Sequence, residues 1–487
     1  MSALSVLSVA SEAFPLVKTG GLADVVGALP AALAAEDVQV CTMLPGYPAV
    51  MDALTEANEV FAYADMYGAP ARVLRGRAAG LDLIVLDASH LYLRVGNPYL
   101  GPDRRDWSDN SVRFAALSGV AAEVAAGRAG LPAADVVHAH DWQTGLVPAY
   151  LRYRGGPPAV MTVHNLAFQG QFGPGLFPTL GLPPQAWSVE GVEYYGDVGY
   201  LKAGLSLADA VTTVSPTYAA EIRTSAGGMG LDGLLRARGN RLVGIRNGID
   251  VTVWDPATDP LLPAVFEVGQ LSGRSLCKAA LQARLGLARD PDALVYGVVS
   301  RLTWQKGMDL LLQSLPALLE GGGQLAVLGS GERWMEEGFA HASRVHPGRV
   351  GCMFGYDESL AHQIQAGSDA LLVPSRFEPC GLTQLCALRY GALPVVARVG
   401  GLADTVVDAN EMALQAGAGS GVMFAPGQQE MLEAALHRTA ELWRDRALWR
   451  QLQRNAMRTD VSWERPAARY AALFRDVAGH GTLSRAA

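Results

Sequence analysis

Cysteine is scarce in this sequence. The 487 residues include five cysteines, with neither a Cys-x-x-Cys pair nor a Cys/His cluster among them: Cys41, Cys277, Cys352, Cys380 and Cys386. An odd and scattered set supports neither a disulfide framework nor a zinc site. We therefore expect free thiols in a reducing cytoplasm.

Positive charge is in short supply too, and neither sign is concentrated in a run. Lys and Arg total 39 against 47 Asp and Glu, which gives a formal net charge of −8. This balance argues against nucleic acid or an anionic membrane as the main partner. A few local basic groups must then hold any anionic ligand.

Long apolar runs are missing as well. No run reaches the roughly 18 residues that a membrane-spanning helix needs, and the first residues lack the basic and then apolar pattern of a secretory signal. We expect no membrane insertion and a cytoplasmic location.

The chain is longer than one ordinary domain with a single hydrophobic core. At about 150 residues per domain it should hold two or three domains, and two large ones fit best. Half of the residues are hydrophobic, enough for ample cores. We predict a first domain at 1–246, a second at 247–462, and a C-terminal helix at 463–487 that crosses back to the first.

The first strand-like run is followed by a glycine turn and a helix. Residues 4–10 are apolar, Gly20 and Gly21 form the turn, and apolar residues at helical spacing follow. Such a helix start offers N–H groups to an anion, and Lys18 adds a positive charge beside it. The alternative is a plain tight turn in the first βα unit.

The same pattern returns near the other end of the chain. Gly400 and Gly401 follow the apolar run 393–397 and precede an apolar helix pattern predicted over 403–410. Between residues 294 and 410 strands and helices alternate, with one helix predicted over 308–319. This alternation predicts a parallel, doubly wound sheet, and the repeated glycine turn suggests two similar α/β domains facing one ligand.

Polar residues follow two apolar runs in the first half. His140, Asp141 and Trp142 end one predicted strand, and His164 and Asn165 end the next. Ligands of open α/β sheets collect at such carboxyl ends. The stretch 166–197 is rich in aromatic residues without clear periodicity, so we predict a long functional insertion.

Two cations lie in a turn between a predicted strand and helix of the second half. Arg301 and Lys306, five residues apart, could converge on one phosphate group. For this spacing alone, solvated loop charges are an equal alternative. Placement at a strand end favours the phosphate.

A second strand-to-helix turn covers residues 374–385. It presents Glu378, and Gly381, Leu382 and Thr383 open a helix whose N–H groups could bind a phosphate. A lone loop glutamate often faces solvent, but here Pro and Gly frame it.

Together these motifs resemble the bacterial glycogen synthase and plant starch synthase family. The resemblance runs in the family's order from about residue 5 to 465. It rests on seven segments: 18–24, 140–143, 162–165, 247–250, 300–307, 374–385 and 400–407.

The resemblance implies an α/β fold of two Rossmann-like, doubly wound domains facing across a deep cleft, the GT-B type of glycosyltransferase. It implies retaining transfer of glucose from ADP-glucose to the non-reducing 4-OH of an α-1,4-glucan such as glycogen or a maltooligosaccharide, with release of ADP. Neither a metal nor a cofactor is implied.

Roles for single residues follow from this resemblance and from the charge that develops in the reaction. Those expected at the nucleotide are Lys18, Gly20, Gly21, Arg301, Lys306, Tyr356, Cys380, Gly381, Leu382 and Thr383. Those expected at the transferred glucose or acceptor are Glu12, Asp24, Tyr99, Asp141, Trp142, His164, Asn165, Asn247 and Glu378. Of these, His164, Glu378, Arg301 and Lys306 are expected to be catalytic, and Tyr356 to stack on adenine.

One position departs from the wider superfamily. Many retaining relatives carry a second glutamate eight residues after the first, where this chain has Cys386. A single carboxylate argues for same-face attack with the leaving phosphate as base, rather than a double displacement. The alternatives are an enzyme that uses UDP-glucose, a nucleotide-sugar epimerase of similar fold, and a catalytically silent glucan-binding protein.

Overall fold

The chain folds into two compact units. The computed structural model describes residues 3–103 and 105–484. Unit 1 holds the residues up to Asn247 and those from Trp463 onward, and unit 2 is Gly248–Ser462. The outermost residues of the predicted segments 1–246 and 463–487, namely 1–2 and 485–487, lie outside the described residues.

Unit 1 contains a nine-stranded sheet and a three-stranded sheet. Their strands are β1 (Leu4–Val9), β2 (Val38–Pro45), β3 (Thr55–Tyr63), β4 (Ala71–Ala78), β5 (Leu81–Asp87), β6 (Val136–His140), β7 (Ala159–Val163), β8 (Gln171–Phe172), β9 (Glu193–Tyr194), β10 (Asp197–Gly199), β11 (Ala210–Thr213) and β12 (Leu242–Gly244). The larger sheet has the order β12-β11-β7-β6-β1-β2-β5-β4-β3. It is parallel except at β5–β4 and β4–β3.

The helices of unit 1 connect these strands. They are α1 (Gly21–Ala34), α2 (Pro48–Ala53), α3 (Ser89–Tyr92), α4 (Asn110–Ala125), α5 (Val147–Arg154), α6 (Tyr200–Leu207), α7 (Pro216–Glu221) and α8 (Asp232–Ala237). The predicted apolar face of α1 is confirmed, because Leu22, Val25, Val26 and Leu29 are all buried. Strand β2 lies next to β1 on one side, and β6, which comes later in the chain, lies next to β1 on the other side. This switch in strand order predicts a ligand site beyond the carboxyl ends of β1 and β6.

Unit 2 contains a six-stranded, wholly parallel sheet. Its strands are β13 (Val295–Val299), β14 (Gln324–Gly329), β15 (Val350–Phe354), β16 (Ala370–Val373), β17 (Leu393–Ala397) and β18 (Val422–Phe424). The order β15-β14-β13-β16-β17-β18 confirms the predicted doubly wound sheet, with its switch point between β13 and β16.

Ten helices with the following bounds flank this sheet or follow it. They are α9 (Gly273–Arg284), α10 (Met308–Gln313), α11 (Leu315–Glu320), α12 (Arg333–Val345), α13 (Glu358–Gly367), α14 (Thr383–Tyr390), α15 (Gly400–Thr405), α16 (Glu411–Gln415), α17 (Gln429–Arg444) and α18 (Arg446–Arg458).

Three predicted elements differ from the structure. The helix predicted over 308–319 is broken into α10 and α11, because Pro316 lacks the N–H that a helix interior needs and fits only a first turn. The helix predicted over 403–410 is α15, which ends at Thr405 because the chain becomes extended at Val406. The stretch 166–197 is not irregular throughout, since it contains β8 and β9, which pair with β10.

The last helix, α19 (Glu464–Ser484), belongs to unit 1. Trp463, Ala467, Tyr470 and Phe474 are buried in one cluster with residues of β1, α1, β6 and β7. His138 of β6 lies under this helix, with its ring centroid 5.4 Å from that of Tyr470 and 5.2 Å from that of Phe474.

The buried His138 predicts that unit 1 loses stability in acid. Burial, and to a smaller extent the charge of His164, lowers the pKa of His138 to about 3. An unfolded histidine titrates near 6.5, so below that pH the unfolded state binds more protons and the free energy of unfolding falls. Between pH 7 and 5 the parent should lose about 2 kcal/mol more than His138→Gln.

Urea denaturation at pH 7, 6 and 5 measures this difference. His437→Gln, a change at an exposed histidine, is the matched control and should follow the parent. Equal pH dependence in the parent and in His138→Gln would contradict the assignment of a neutral, buried imidazole.

Candidate functional site

In unit 1 Asp141 fixes the backbone at the end of β7. Its Oδ1 accepts the N–H of His164 at 2.6 Å and, more weakly, that of Asn165 at 3.4 Å. Asp141 has a positive φ of 56° directly after β6, which turns its side chain across to the neighbouring strand. Burial raises the pKa of Asp141 to about 7, and the two N–H bonds oppose this shift. The turn that presents the His164 carbonyl is therefore held by a buried carboxyl group.

The His164 side chain is held by a second histidine that sequence reasoning did not assign to the site. Nδ1 of His140 lies 2.9 Å from Nε2 of His164, and Nε2 of His140 lies 3.2 Å from Oγ of Ser8. Burial lowers the pKa of His164 to about 3 and that of His140 well below its usual range. Both rings are neutral at pH 7, so His164 serves as a neutral group and not as a cation.

The predicted acceptor residues Glu12 and Tyr99 contact each other. Oε1 of Glu12 accepts hydrogen bonds from the Tyr99 hydroxyl and, at 2.6 Å, from Oγ1 of Thr19, and Oε2 accepts the Thr19 N–H. Burial raises the pKa of Glu12, while these hydrogen bonds oppose the shift. The carboxyl group of Glu12 therefore holds the loop after β1 in place.

The predicted phosphate cation Lys18 forms an ion pair. Its Nζ lies 2.8 Å from Oδ1 of Asp24, and each side chain is about a quarter exposed. Gly20 precedes α1 in an extended conformation, and no atom lies within 4 Å of the position that a Cβ would take there. Gly21 is the first residue of α1. The glycine turn is open on the side where a ligand would approach.

The remaining predicted residues of unit 1 differ in whether their polar atoms are free to bind a ligand. The Trp142 ring packs against Phe114, with 5.0 Å between centroids, and Asn165 uses its Oδ1 to accept the Ala167 N–H at 3.1 Å. Asn247 is buried, and its Oδ1 has no hydrogen-bond partner within residues 3–103 and 105–484. A buried acceptor without a partner suits a ligand hydroxyl.

In unit 2 the switch point brings Lys306 and Glu378 together. Nζ of Lys306, after β13, donates to Oε2 of Glu378, after β16, at 2.5 Å, and Oγ of Ser375 donates to the same oxygen at 2.8 Å. The Glu378 side chain is only 7% exposed. Among the described residues none donates to Oε1, so this oxygen can accept a hydrogen bond from a ligand.

The two loops that carry this ion pair support each other. The Arg376 N–H donates to the Gln305 carbonyl at 2.9 Å, and Gly307 has a positive φ of 68°. A Cβ at Gly307 would lie 2.0 Å from the Pro374 carbonyl oxygen. Arg301 is exposed and pairs with no carboxylate in the described part of the chain. Its guanidinium is available to an anion beside Lys306.

The second glycine pair supports the Glu378 loop. The Gly401 N–H donates to the carbonyls of Glu378 and Pro379, each at 3.1 Å. Gly400 has a φ of 40°, and a Cβ there would lie 2.0 Å from the Glu378 carbonyl oxygen. Gly400 and Gly401 therefore resemble Gly20 and Gly21 in sequence but not in environment. The second pair packs against backbone, whereas Gly20 has free space at its Cβ position.

The start of α14 lies next to this loop. Gly381 has a φ of 70°, Leu382 precedes the helix, and Thr383 is its first residue. Among the described residues no side chain caps the helix, so its first N–H groups can bind a ligand. Cys380 and Cys386 are both buried, and no carboxylate takes the position of a second glutamate.

Tyr356, after β15, is anchored by a side-chain network that the sequence did not reveal. The Tyr356 hydroxyl donates to Glu358, whose Oε1 lies 3.6 Å from Nε2 of His362. Nδ1 of His362 lies 2.7 Å from Oδ2 of Asp259, which also accepts the Tyr390 hydroxyl at 2.6 Å. Burial acts to lower the pKa of His362, but hydrogen bonds and charges from both carboxylates raise it overall.

Neither a metal site nor a membrane helix is found in the part of the chain that the structure describes. There, no group of three or more His, Cys, Asp or Glu residues is placed to hold a metal ion. In the same residues no helix is both long and apolar enough to cross a bilayer. That the reaction uses no metal stays a prediction.

One mostly parallel and one wholly parallel sheet, each with polar and charged side chains at the carboxyl ends of its parallel strands, fit a sugar transferase. Comparisons with protein families agree. Residues 5–237 match the family described as "Starch synthase catalytic domain", and residues 283–456 match "Glycosyl transferases group 1". The chain is therefore a glycosyltransferase of the two-domain GT-B class.

Relatives that match over nearly the whole chain identify the family within this class. The chain is 61% identical to the glycogen synthase of Rhodopseudomonas palustris and 62% identical to that of Methylocella silvestris, in both cases over 98% of this chain and 99% of the relative. The chain belongs to the glycogen synthase family.

Solved structures give the same result. The catalytic domain of starch synthase IV from Arabidopsis thaliana, bound to ADP and acarbose, matches with a TM-score of 0.90 and 32% identity over 98% of this chain and 100% of that one. Sucrose-phosphate synthase from Thermosynechococcus elongatus shares the fold, with a TM-score of 0.59 and 19% identity over 97% of this chain and 99% of that one.

Proposed function

We propose that this chain transfers glucose, with retention, from ADP-glucose to the non-reducing 4-OH of an α-1,4-glucan, which elongates glycogen and releases ADP. The observation that carries this proposal is the largely buried pair of Lys306 and Glu378 at the switch point of unit 2, with the exposed Arg301 in the same turn as Lys306.

The cations and the helix start bind the leaving group. When the bond between C1 of glucose and the diphosphate oxygen breaks, negative charge grows on the diphosphate. Arg301 binds it with a fixed guanidinium, and Lys306 donates with N–H groups not used on Glu378. The N–H groups at Thr383 add the partial positive charge of a helix start.

Carbonyl and carboxylate oxygens face the sugar. Oε1 of Glu378 accepts a hydrogen bond from a hydroxyl of the transferred glucose. The His164 carbonyl stabilises the positive charge at C1. The 4-OH of the glucan attacks on the face from which the diphosphate leaves, and its proton passes to a phosphate oxygen of the departing ADP. No second carboxylate is needed, in agreement with a buried Cys386.

The other predicted residues complete the substrate contacts in this proposal. Tyr356 stacks on adenine, and the ion pair of Lys18 and Asp24 opens so that Lys18 reaches a phosphate. Side chains at the acceptor are Glu12, Tyr99, Asp141, Trp142, Asn165 and Asn247. We propose a cytoplasmic location, because the five cysteines form no disulfide.

Incorporation of glucose into glycogen from ADP-glucose and from UDP-glucose tests this function. We expect kcat/KM to favour ADP-glucose by about tenfold or more, because adenine and uracil differ in stacking area and polar edge. Equal rates would contradict the donor assignment. Glycogen binding without ADP release would instead indicate a silent glucan-binding protein.

A further inference from the structure

Two tryptophans of unit 2 are exposed although both are anchored. Trp304 is 55% and Trp334 is 52% exposed. The Trp304 N–H donates to Oε1 of Glu332 at 3.1 Å, and Nε1 of Trp334 donates to Oε2 of the same residue at 2.9 Å. One carboxylate thus contacts the backbone of Trp304 and the indole of Trp334.

Trp304 lies in the loop after β13 and Trp334 in the first turn of α12, and neighbouring groups hold both residues. The Arg376 guanidinium lies 4.5 Å from the centre of the Trp304 ring, and it is itself held by two hydrogen bonds of 2.7 Å to Asp309. The Glu332 N–H donates to the Leu302 carbonyl at 2.8 Å, which ties the loop after β14 to the loop after β13. A ligand that binds here need not order these side chains, so little entropy opposes binding.

The chemistry of the surface favours a neutral sugar. An indole face carries partial negative charge and attracts the slightly positive C–H face of a pyranose. Glu332 supplies acceptors for hydroxyl groups. Nucleic acid is disfavoured, because the Glu332 carboxylate that contacts both residues would repel its phosphates. A protein partner is also disfavoured, because a charged side chain contacts each ring, Arg376 at Trp304 and Glu332 at Trp334.

We propose that Trp304, Trp334 and Glu332 form an accessory site on unit 2 that binds glucose units of the α-glucan without taking part in transfer. The choice of ligand rests on the proposed function, since the acceptor is the polymer that the protein must hold. The site would keep a long glucan attached between transfers, and a short acceptor would gain nothing from it.

Four variants test the site. They are Trp334→Ala, the double variant Trp304→Ala/Trp334→Ala, Trp334→Phe, and Leu276→Ala as the control for losing an exposed apolar side chain elsewhere on unit 2. The readouts are the dissociation constant for glycogen from co-sedimentation, and KM for glycogen, maltotriose and ADP-glucose. Thermal unfolding confirms that each variant is folded.

We expect the double variant to bind glycogen about five- to tenfold more weakly, with KM for glycogen raised in proportion. For Trp334→Ala, kcat with maltotriose and KM for ADP-glucose should be unchanged, because Trp334 lies in α12, of which no residue is assigned to transfer. Trp334→Phe should retain most of the affinity for glycogen, and Leu276→Ala should equal the parent.

Two outcomes would overturn the proposal. One is unchanged glycogen affinity in the folded double variant. The other is a raised KM for ADP-glucose with maltotriose, which would make the rings part of the donor site. Co-sedimentation needs no turnover, so it separates this inference from the proposed function. If the parent transferred no glucose but the double variant still bound glycogen more weakly than the parent, only the proposed function would be refuted.

Discussion

Replacement of Lys306 by methionine should lower kcat with ADP-glucose about 10²- to 10³-fold. Lys306 donates to Glu378, and in the proposed reaction it also faces the leaving diphosphate. The change removes a cation where negative charge develops and leaves a buried carboxylate supported by Ser375 alone. Initial rates of ADP release, with a long maltooligosaccharide as acceptor, measure the effect.

A double variant separates catalysis from stability. In Lys306→Met the unpaired carboxylate should reduce the free energy of unfolding by about 1–3 kcal/mol. Lys306→Met/Glu378→Gln has no unpaired charge, so it should regain most of this stability and none of the activity. If the double variant recovered activity, or if Lys306→Met kept near-parental kcat, the role of this ion pair in transfer would be wrong.

Replacement of Gly400 by alanine should displace the Glu378 loop and lower both stability and activity. A Cβ at Gly400 would lie 2.0 Å from the Glu378 carbonyl oxygen, at a φ of 40°. The clash is with backbone, which no side-chain rotation relieves. We expect a loss of about 2–4 kcal/mol in the free energy of unfolding and a fall in kcat of about tenfold or more, because catalysis depends on placement.

Gly427→Ala is the matched control for this prediction. Gly427 also has a positive φ, 79°, but no atom lies within 4 Å of its Cβ position. It should show the cost of backbone strain without the clash, and kcat should equal that of the parent. If Gly400→Ala and Gly427→Ala behaved alike, the contact between α15 and the Glu378 loop would not position the carboxylate.

Much of unit 2 could be predicted because short apolar runs mark the strands of a parallel sheet. Arg301, Lys306 and Glu378 follow such runs. This placement favoured a phosphate site at Arg301 and Lys306, and the family resemblance added Glu378 to it. The direct pairing of Lys306 with Glu378 could not be predicted, because it depends on β13 and β16 being neighbours. Strand order across a sheet is not written in the local pattern.

Other parts of the candidate site depend on contacts far apart in the chain. His140 could have been found, since the alternation of a strand puts His138 and His140 on one face of β6. The contact of His362 with Asp259 joins residues 103 positions apart, so no local pattern could predict it. Only the spacing of four residues between Glu358 and His362, which puts both on one helix face, indicated part of this network. The glycine repeat correctly suggested two α/β units. It did not show that Gly400 and Gly401 pack against the Glu378 loop, because a sequence pattern does not reveal which backbone lies against it.

The most direct test of the account follows glucose transfer from ADP-glucose to a maltooligosaccharide by proton NMR of the first product formed. Retaining transfer predicts a new α-1,4 linkage as the initial product and one ADP released for each glucose added. A β-configured initial product, or glucan growth without ADP release, would contradict same-face transfer at the site of Lys306 and Glu378.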